Sequence, residues 1–130
     1  MSVLCGRVIH PGLACGRALV TQEPISFFGG VDPETGLIVD PQHPLAGQCV
    51  KGRVLVFPTG KGSTVGSYIL YQLAHNGHAP AALVNAHCEP IVAVGAIIAG
   101  IPAVDKVDIT QIVSGDWVCI EEGGRIIVEA

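Results

Sequence analysis

The stretch "RVLVFPTGKGSTVGSYILYQLAHNG", residues 53–77, joins a short apolar run to a glycine-rich turn and then to a segment of helical period. The run "RVLVF" has the length and β-branched content of a strand. In "TVGSYILYQLAH" the apolar residues Val65, Ile69 and Leu73 recur every four positions, and Asn76-Gly77 is a typical left-handed helix end. The stretch therefore predicts a strand, a loop and a helix in that order.

The loop "PTGKGST", residues 58–64, lacks the spacing of a nucleotide phosphate loop. Such a loop needs a glycine five positions before its Gly-Lys pair and a hydroxyl residue directly after the lysine, because the backbone wraps the phosphate and the hydroxyl binds magnesium. Leu55 and Gly62 occupy those positions, so the loop does not predict a nucleoside triphosphate site. The turn, the helix start and Lys61 instead predict a local anion site.

Ser63 ends this loop and has two open interpretations. It is either an ordinary helix cap, worth about 1 kcal/mol, or a reactive hydroxyl. No His or Asp lies near it in sequence to form a hydrolytic triad. The residues alone favour the cap.

The rest of the chain consists mostly of short apolar runs separated by turns, which predicts an α/β fold with many short strands and few helices. The segment from Glu89 to Ala99 fits a buried helix or a buried strand equally well. Turns are predicted at Asp32–Gly36 and, within a C-terminal hairpin, at Glu122–Arg125. The further predicted strands are "VLCGRVI" near Val3, "RALVT" near Arg17, "GLIVD" near Gly36, "AALVN" near Ala81 and "WVCI" near Trp117.

Composition and charge limit the classes of function. A chain of 130 residues with 49% hydrophobic and 14% charged residues predicts one compact domain over residues 1–130. The net charge of −4 and the scattered basic residues offer no stripe for nucleic acid. The longest apolar run, Ile91–Val104, is short and broken by Gly and Pro, so no membrane span is expected. The first residues lack the features of a signal peptide, which predicts a cytoplasmic protein.

The cysteines and histidines predict no metal site on this chain. The five cysteines are odd in number and contain no C-x-x-C pair, so we expect small, buried, reduced side chains and neither a disulfide framework nor a cluster site. His75, His78 and His87 lack supporting ligands at metal-binding spacing, which favours solvated or hydrogen-bonded histidines. The cysteines are Cys5, Cys15, Cys49, Cys88 and Cys119.

Three long motifs, in order and at matching spacing, carry a family resemblance. They are "EPISFFGGVDPETGLIVD", "HPLAGQCVKGRVLVFPTGKGSTVGSY" and "APAALVNAHCEPIVAVGAIIAGIPAVDKVDI". Together they resemble the small subunit of aconitase X enzymes of the archaeal phosphomevalonate dehydratase type, from about Arg17 to the final hairpin. The resemblance implies a swivelling β/β/α domain with a barrel-like sheet, similar to the fourth domain of aconitase, that closes over a large subunit.

The resemblance also implies a reaction and a site. The reaction is dehydration of (R)-mevalonate 5-phosphate to trans-anhydromevalonate 5-phosphate, with Ser63 as the proton acceptor. The iron–sulfur cluster, of the 4Fe-4S type, belongs to the large subunit of a heterodimer, so the chain alone is expected to be inactive. The implied substrate-binding residues are Gly60, Lys61, Gly62 and Thr64, and the implied partner-interface residues are Phe27, Phe28, Gly29, Gly30 and Glu89.

Two alternatives remain at this point. Related bacterial cis-3-hydroxy-L-proline dehydratases carry an Arg-containing glycine loop and a serine-rich run, whereas "GKGSTVGSY" favours the phosphorylated substrate. A noncatalytic module that binds an anion and regulates a partner through the same loop is the alternative from another class. In that case Ser63→Ala would leave a partner's activity largely intact.

Overall fold

A computed structural model describes residues 1–130, built around an eight-stranded sheet with few helices. The helices are α1, Phe27–Gly30, a single irregular turn, and the longer α2, Gly66–His75, and α3, Pro90–Ala99, with short 3-10 turns at Ile109–Gln111 and Glu122–Gly124. The strands are β1, Ser2–Cys5; β2, Arg7–His10; β3, Ala14–Val20; β4, Val54–Phe57; β5, Ala82–Asn85; β6, Ala103–Asp105; β7, Trp117–Ile120; and β8, Arg125–Glu129. No helix is long and apolar enough to cross a membrane.

The sheet curls into a nearly closed barrel. Its strand order is β1-β8-β7-β3-β4-β5-β6-β2, with β3 to β6 parallel and all other neighbours antiparallel. The strands at the two ends of this order, β1 and β2, are joined by Gly6 alone. The Gly6 N–H donates to the Gly124 carbonyl at 2.9 Å. A Cβ on Gly6 would lie 2.5 Å from the Asp105 carbonyl oxygen, so only glycine fits this junction.

Alternate side chains of the parallel strands enter two separate cores, as the two-residue period of a strand requires. Leu55 and Phe57 of β4 pack beneath α2 and α3, together with Leu70 and Leu73. Val54 and Val56 belong to the other core, enclosed by the barrel with Val84, Val118 and Ile126. Both helices therefore cover one side of the parallel strands, and the barrel fills the other.

The strand, loop and helix predicted for residues 53–77 are confirmed. The helix ends as expected, with Gly77 at φ +75° and the His78 N–H bonded to the Leu73 carbonyl at 2.8 Å. The ambiguous segment after Glu89 is a helix, α3, which ends at Gly100 in the left-handed conformation. The predicted turn at residues 32–36 and the C-terminal hairpin of β7 and β8 are also present.

One strand prediction is divided by the structure and another was wrong. The run "VLCGRVI" is two strands separated by Gly6. The strand before Gly6, β1, pairs with β8, and the strand after it, β2, pairs with β6. The run "GLIVD" forms only single bridges, Val31 with Ile38 and Leu37 with Cys49. The chain continues through Pro41 and Pro44, which have no N–H to donate, so a ladder is not extended there.

The cysteine prediction was also wrong. Cys15 and Cys119 form a disulfide, with Cα atoms 4.1 Å apart. They lie directly opposite each other because β3 and β7 pair antiparallel in that register. Cys5 is exposed and Cys49 is half-buried, so Cys88 is the one free cysteine that is buried.

Candidate functional site

The candidate site lies where the carboxyl ends of three parallel strands meet. Residues 58–65 follow β4, residues 86–89 follow β5 and residues 106–108 follow β6. Because these strands are parallel neighbours, the three segments share one end of the sheet. We call the three segments the site edge. Ligands of α/β proteins characteristically bind at such carboxyl ends.

The glycine loop of the site edge is held by backbone hydrogen bonds on both sides. On one side, the Ile25 N–H donates to the Thr59 carbonyl at 3.2 Å, and the Lys61 N–H donates to the Ile25 carbonyl at 3.0 Å. On the other side, the His87 N–H donates to the Pro58 carbonyl at 2.9 Å. The loop is therefore fixed between the segment before α1 and the segment before α3.

Two glycines allow these close approaches. A Cβ on Gly60 would lie 2.5 Å from Glu89 Oε1 and 2.5 Å from a methyl of Val92. A Cβ on Gly62 would lie 2.5 Å from Ser26 Oγ, and Gly62 has φ +92°, which other residues rarely adopt. Both positions therefore require glycine for a structural reason that the sequence pattern did not show.

Ser63 is accessible and lies in the turn before α2, whose N-cap, Val65, receives no side-chain cap hydrogen bond. Its Oγ accepts a hydrogen bond from the Val65 N–H at 3.2 Å, and its carbonyl accepts one from Gly66 at 2.9 Å. These bonds close the turn that leads into α2. The side chains of Lys61, Ser63 and Thr64 are exposed. Ser63 is therefore not the N-cap of α2; its hydroxyl supports the preceding turn and is accessible.

The two phenylalanines of α1 have different environments. Phe27 is buried and packs edge-on against Phe57, with ring centroids 5.8 Å apart. The Phe28 side chain is 52% exposed. A Cβ on Gly66 would lie 3.7 Å from Phe27 Cβ, so α1 sits beside the first residue of α2. Phe28 therefore lies close to the glycine loop.

Gly29 and Glu89 complete the residues suggested by the resemblance. Gly29, at φ +82°, and Gly30 have open space where a side chain would project. Glu89 caps α3, because its Oε2 accepts from the Ile91 N–H at 2.9 Å and its Oε1 accepts from the Val92 N–H at 2.8 Å. Both carboxylate oxygens are thus engaged at the base of the loop. Residues far apart in sequence are brought together at one edge.

The structure adds an ion pair that the sequence analysis missed. Arg7 donates to the fully buried Asp105 from Nε at 2.9 Å and from Nη2 at 2.8 Å, and the Cys88 N–H donates to the same carboxylate at 2.9 Å. Burial alone would raise the pKa of Asp105, but these hydrogen bonds and the Arg7 charge hold the pKa below its usual value. A lone Asp inside the apolar run "IPAVDKV" was the available signal.

Two more residues of this edge were not found from sequence. Asn85 is buried at the end of β5, and its Nδ2 donates to the Phe57 carbonyl at 3.0 Å, which supports the start of the glycine loop. Its Oδ1 has no hydrogen-bond partner. Lys106 is the one residue other than glycine with a positive φ, +58°. Nothing in the sequence pattern indicates that conformation.

A polar cavity of about 370 Å³ lies beside Lys61. His43 fixes one wall, because its Nδ1 accepts from the Leu45 N–H at 3.1 Å while its Nε2 lies 3.2 Å from the Pro24 carbonyl. Both ring nitrogens of His43 thus contact the backbone. The wall also includes Glu23, Asp40, Gln42 and Pro44.

The donor groups of this chain do not fit an iron–sulfur cluster. Clusters are held by several cysteine thiolates, whereas burial, followed by the nearby Asp105 and Glu89 carboxylates, raises the pKa of the Cys88 thiol to about 12. Cys15 and Cys119 are bonded to each other. No three His, Cys, Asp or Glu side chains are grouped so that they could hold a metal ion.

Relatives of known name match the chain over nearly its full length. A protein of Methanothrix thermoacetophila named phosphomevalonate dehydratase small subunit is 54% identical over 131 residues, covering 100% of this chain and 90% of that protein. A protein of the same name from Thermococcus sibiricus is 54% identical over 127 residues, covering 97% of this chain and 98% of that protein.

The fold is also that of a solved structure. A chain in the crystal structure of Thermococcus kodakaraensis aconitase X, holo-form, matches with a TM-score of 0.98 and 45% identity, covering 100% of both chains. The predicted α/β architecture, a barrel-like sheet with few helices, is thereby confirmed. A family model described as the aconitase X swivel domain matches residues 3–129. The chain therefore belongs to the aconitase X swivel-domain family.

Proposed function

We propose that this chain is the small subunit of a phosphomevalonate dehydratase, with (R)-mevalonate 5-phosphate as substrate and trans-anhydromevalonate 5-phosphate as product. The observation that carries the proposal is the full-length similarity, at 54% identity, to proteins named as that subunit. The site edge supports it, because an accessible hydroxyl, a free lysine and two tightly packed glycines occur together there.

Ser63 is assigned as the proton acceptor. Dehydration of a 3-hydroxy acid removes a proton from the carbon beside the carboxylate and expels hydroxide from the next carbon. A neutral serine hydroxyl is a poor base. Its deprotonated form, the alkoxide, can act as the base when the negative charge on its oxygen is stabilised. The Val65 N–H that donates to Ser63 Oγ and the amino end of α2 both favour that charge.

The glycine loop is assigned to bind the acidic part of the substrate. Lys61 is exposed, and no carboxylate lies within salt-bridge distance of its ammonium group, so its charge is available to an anion. The exposed backbone at Gly62 and Thr64 forms the surface beside Ser63, and the buried Gly60 lies beneath it. Because Gly60 is locked against Glu89, this surface is rigid rather than adaptable.

The partner is assigned as a large subunit that carries the iron–sulfur cluster, which the name small subunit of the relatives supports. The contact surface is assigned around the glycine loop. Phe28 is 52% exposed there, and the apolar surface continues onto Val65 and Tyr68, which are 43% and 55% exposed. Gly29 and Gly30 leave the flank of Phe28 open for a partner's side chains. Phe27 and Glu89 lie beneath this surface and support it through their packing and hydrogen bonds. Residues 1–130 form one domain that closes as a unit.

Reconstitution tests the function. We expect the chain alone to show no dehydration, and the anaerobic complex with its large subunit to dehydrate mevalonate 5-phosphate. Cis-3-hydroxy-L-proline serves as the comparison substrate, and we expect no turnover of it. If the complex turned over cis-3-hydroxy-L-proline and not mevalonate 5-phosphate, the hydroxyproline would be its substrate instead. Activity of the metal-free chain alone, or a complex that turns over neither acid, would contradict the proposal.

A further inference from the structure

A row of basic side chains follows the strand order across the carboxyl ends of the parallel strands. Lys61 follows β4, His87 follows β5 and Lys106 follows β6, while Arg7 begins β2, which runs antiparallel beside β6. Lys61, His87 and Lys106 stand in the row in sequence order, and the pairing of β2 with β6 adds Arg7 from near the amino terminus. We call these four residues the basic row.

Arg7 occupies the far end of the basic row and is held in place from one side. Its Nε and Nη2 bond to Asp105, and Nη1 has no hydrogen-bond partner. The Arg7 side chain is 50% exposed although its carboxylate partner is fully buried. A guanidinium fixed by a buried carboxylate keeps its remaining N–H groups in a set direction, which suits recognition of a phosphate.

Lys106 lies next to Asp105 and is held in an unusual backbone conformation. Its N–H donates to the Ala86 carbonyl at 3.1 Å, and its φ is +58°. A positive φ in a residue other than glycine costs on the order of 1 kcal/mol, and such residues are concentrated at functional sites. The Lys106 side chain is exposed and pairs with no carboxylate.

The carboxylates near this end of the row are already engaged. Asp105 accepts from Arg7 and Cys88, and Glu89 caps α3. Asp108 accepts from Thr110, from both its N–H and its hydroxyl, and from Gln111 at 3.4 Å. By contrast, Glu23 and Asp40 line the cavity beside Lys61 at the other end. The Arg7 charge is balanced by Asp105. The unused N–H donors at this end of the row are therefore those of Lys106 and of Arg7 Nη1.

We infer that Lys106 and Arg7 bind the phosphate group of the substrate, while Ser63 and Lys61 face its acid end. This inference rests on the proposed function. Two interstrand spacings separate β4 from β6, about 10 Å in all. An extended five-carbon acid with a terminal phosphate spans such a distance. The basic row thus sets both the orientation of the substrate and the requirement for its phosphate.

The test compares two exposed lysines at opposite ends of the same sheet. Lys106→Gln, in the reconstituted complex, should raise KM for mevalonate 5-phosphate about tenfold with little change in kcat. Its kcat/KM for unphosphorylated mevalonate should stay at the wild-type value. Lys51→Gln is the matched control, because Lys51 precedes β4 at the other end of the strand and forms no ion pair. Equal KM values for Lys106→Gln and Lys51→Gln would overturn the inference.

A second measurement separates this inference from the proposed function. Calorimetry with inorganic phosphate needs no turnover, so it remains informative if the complex acts on another acid. Phosphate binding to the complex should weaken about tenfold in Lys106→Gln. It should weaken further when Arg7→Gln is combined with Asp105→Asn, a pair chosen so that no buried carboxylate is left alone. Equal phosphate affinity in wild type and Lys106→Gln, or no phosphate binding by the wild type, would overturn the inference.

Discussion

Two arginines at the amino ends of the parallel strands differ in their contacts from two lysines at the carboxyl ends. At the amino ends, Arg53 donates to the Arg17 and Ala18 carbonyls at 3.1 and 3.0 Å. Arg17 lies over the Trp117 ring at 5.2 Å and donates to the Gly115 carbonyl. At the carboxyl ends, Lys61 and Lys106 have no such partners. These two arginines are therefore structural, whereas the two lysines are available for a ligand.

Glycines show the same contrast. Gly16 lies at the amino end, where a Cβ would come within 2.6 Å of the Gly52 carbonyl, so that glycine lets two backbone segments meet. Gly60 lies at the carboxyl end, where a Cβ would come within 2.5 Å of Glu89 and Val92. Both are packing glycines, but only Gly60 supports a loop with an accessible serine. The comparison teaches that close packing alone does not identify a site.

The largest expected change in stability concerns the disulfide, which lies away from the site edge. Reduction of Cys15–Cys119 should lower the free energy of unfolding by about 2–4 kcal/mol, since the bond joins residues 104 apart in sequence. Denaturant unfolding with and without reductant measures this. The paired variant Cys15→Ser/Cys119→Ser should be insensitive to reductant. If the oxidised and reduced proteins unfold at the same denaturant concentration, the bond contributes no stability.

The two glycines provide the next comparison. Gly16→Ala and Gly60→Ala should each destabilise the fold by about 1–3 kcal/mol, because the added methyl has no room. Only Gly60→Ala should also lower kcat of the reconstituted complex, since it displaces the loop that carries Ser63. Thermal unfolding and steady-state kinetics separate the two effects. An equal loss of kcat in both variants would show that Gly60 is no more important for activity than Gly16.

The smallest expected effect is the contribution of Asp105 to stability, which changes only in acidic solution. The pKa of Asp105 is lower in the folded protein than in the unfolded chain, where it is about 3.9. Ionised Asp105 therefore stabilises the fold fully above the unfolded pKa. This stabilisation is lost as the pH falls from there through the folded pKa. Stability should therefore fall less steeply below about pH 4 in Asp105→Asn than in wild type. Urea unfolding over this range measures the slopes. Parallel curves would show that Asp105 does not titrate differently in the two states.

Local patterns predicted the elements that depend on nearby residues. The strand, glycine loop and helix of residues 53–77 were readable because each signal lies within a few positions of the structure it specifies. The nature of α3 was not readable from periodicity, since its exposed Val94, Ile97 and Ile98 make it apolar on most sides. Its Glu89-Pro90 start and Gly100 end were the signals that distinguish it from a strand.

Features that depend on register were not predictable. The Cys15–Cys119 bond requires the pairing of β3 with β7, which no local pattern specifies. The Arg7–Asp105 pair likewise requires β2 to leave β1 at Gly6 and join β6. Of the candidate site, the glycine loop came from sequence, while Arg7, Asn85 and Lys106 emerged only when strands distant in sequence were placed side by side.

The most direct test of this account is the rate of anaerobic dehydration of mevalonate 5-phosphate by the reconstituted complex with Ser63→Ala. The account predicts a loss of kcat of about 10²–10⁴-fold, with assembly and iron content unchanged. Ser2→Ala, a substitution at an exposed serine of β1, should retain the wild-type rate. A Ser63→Ala complex that keeps the wild-type kcat would contradict the account, and Ser63 would then only support the turn before α2.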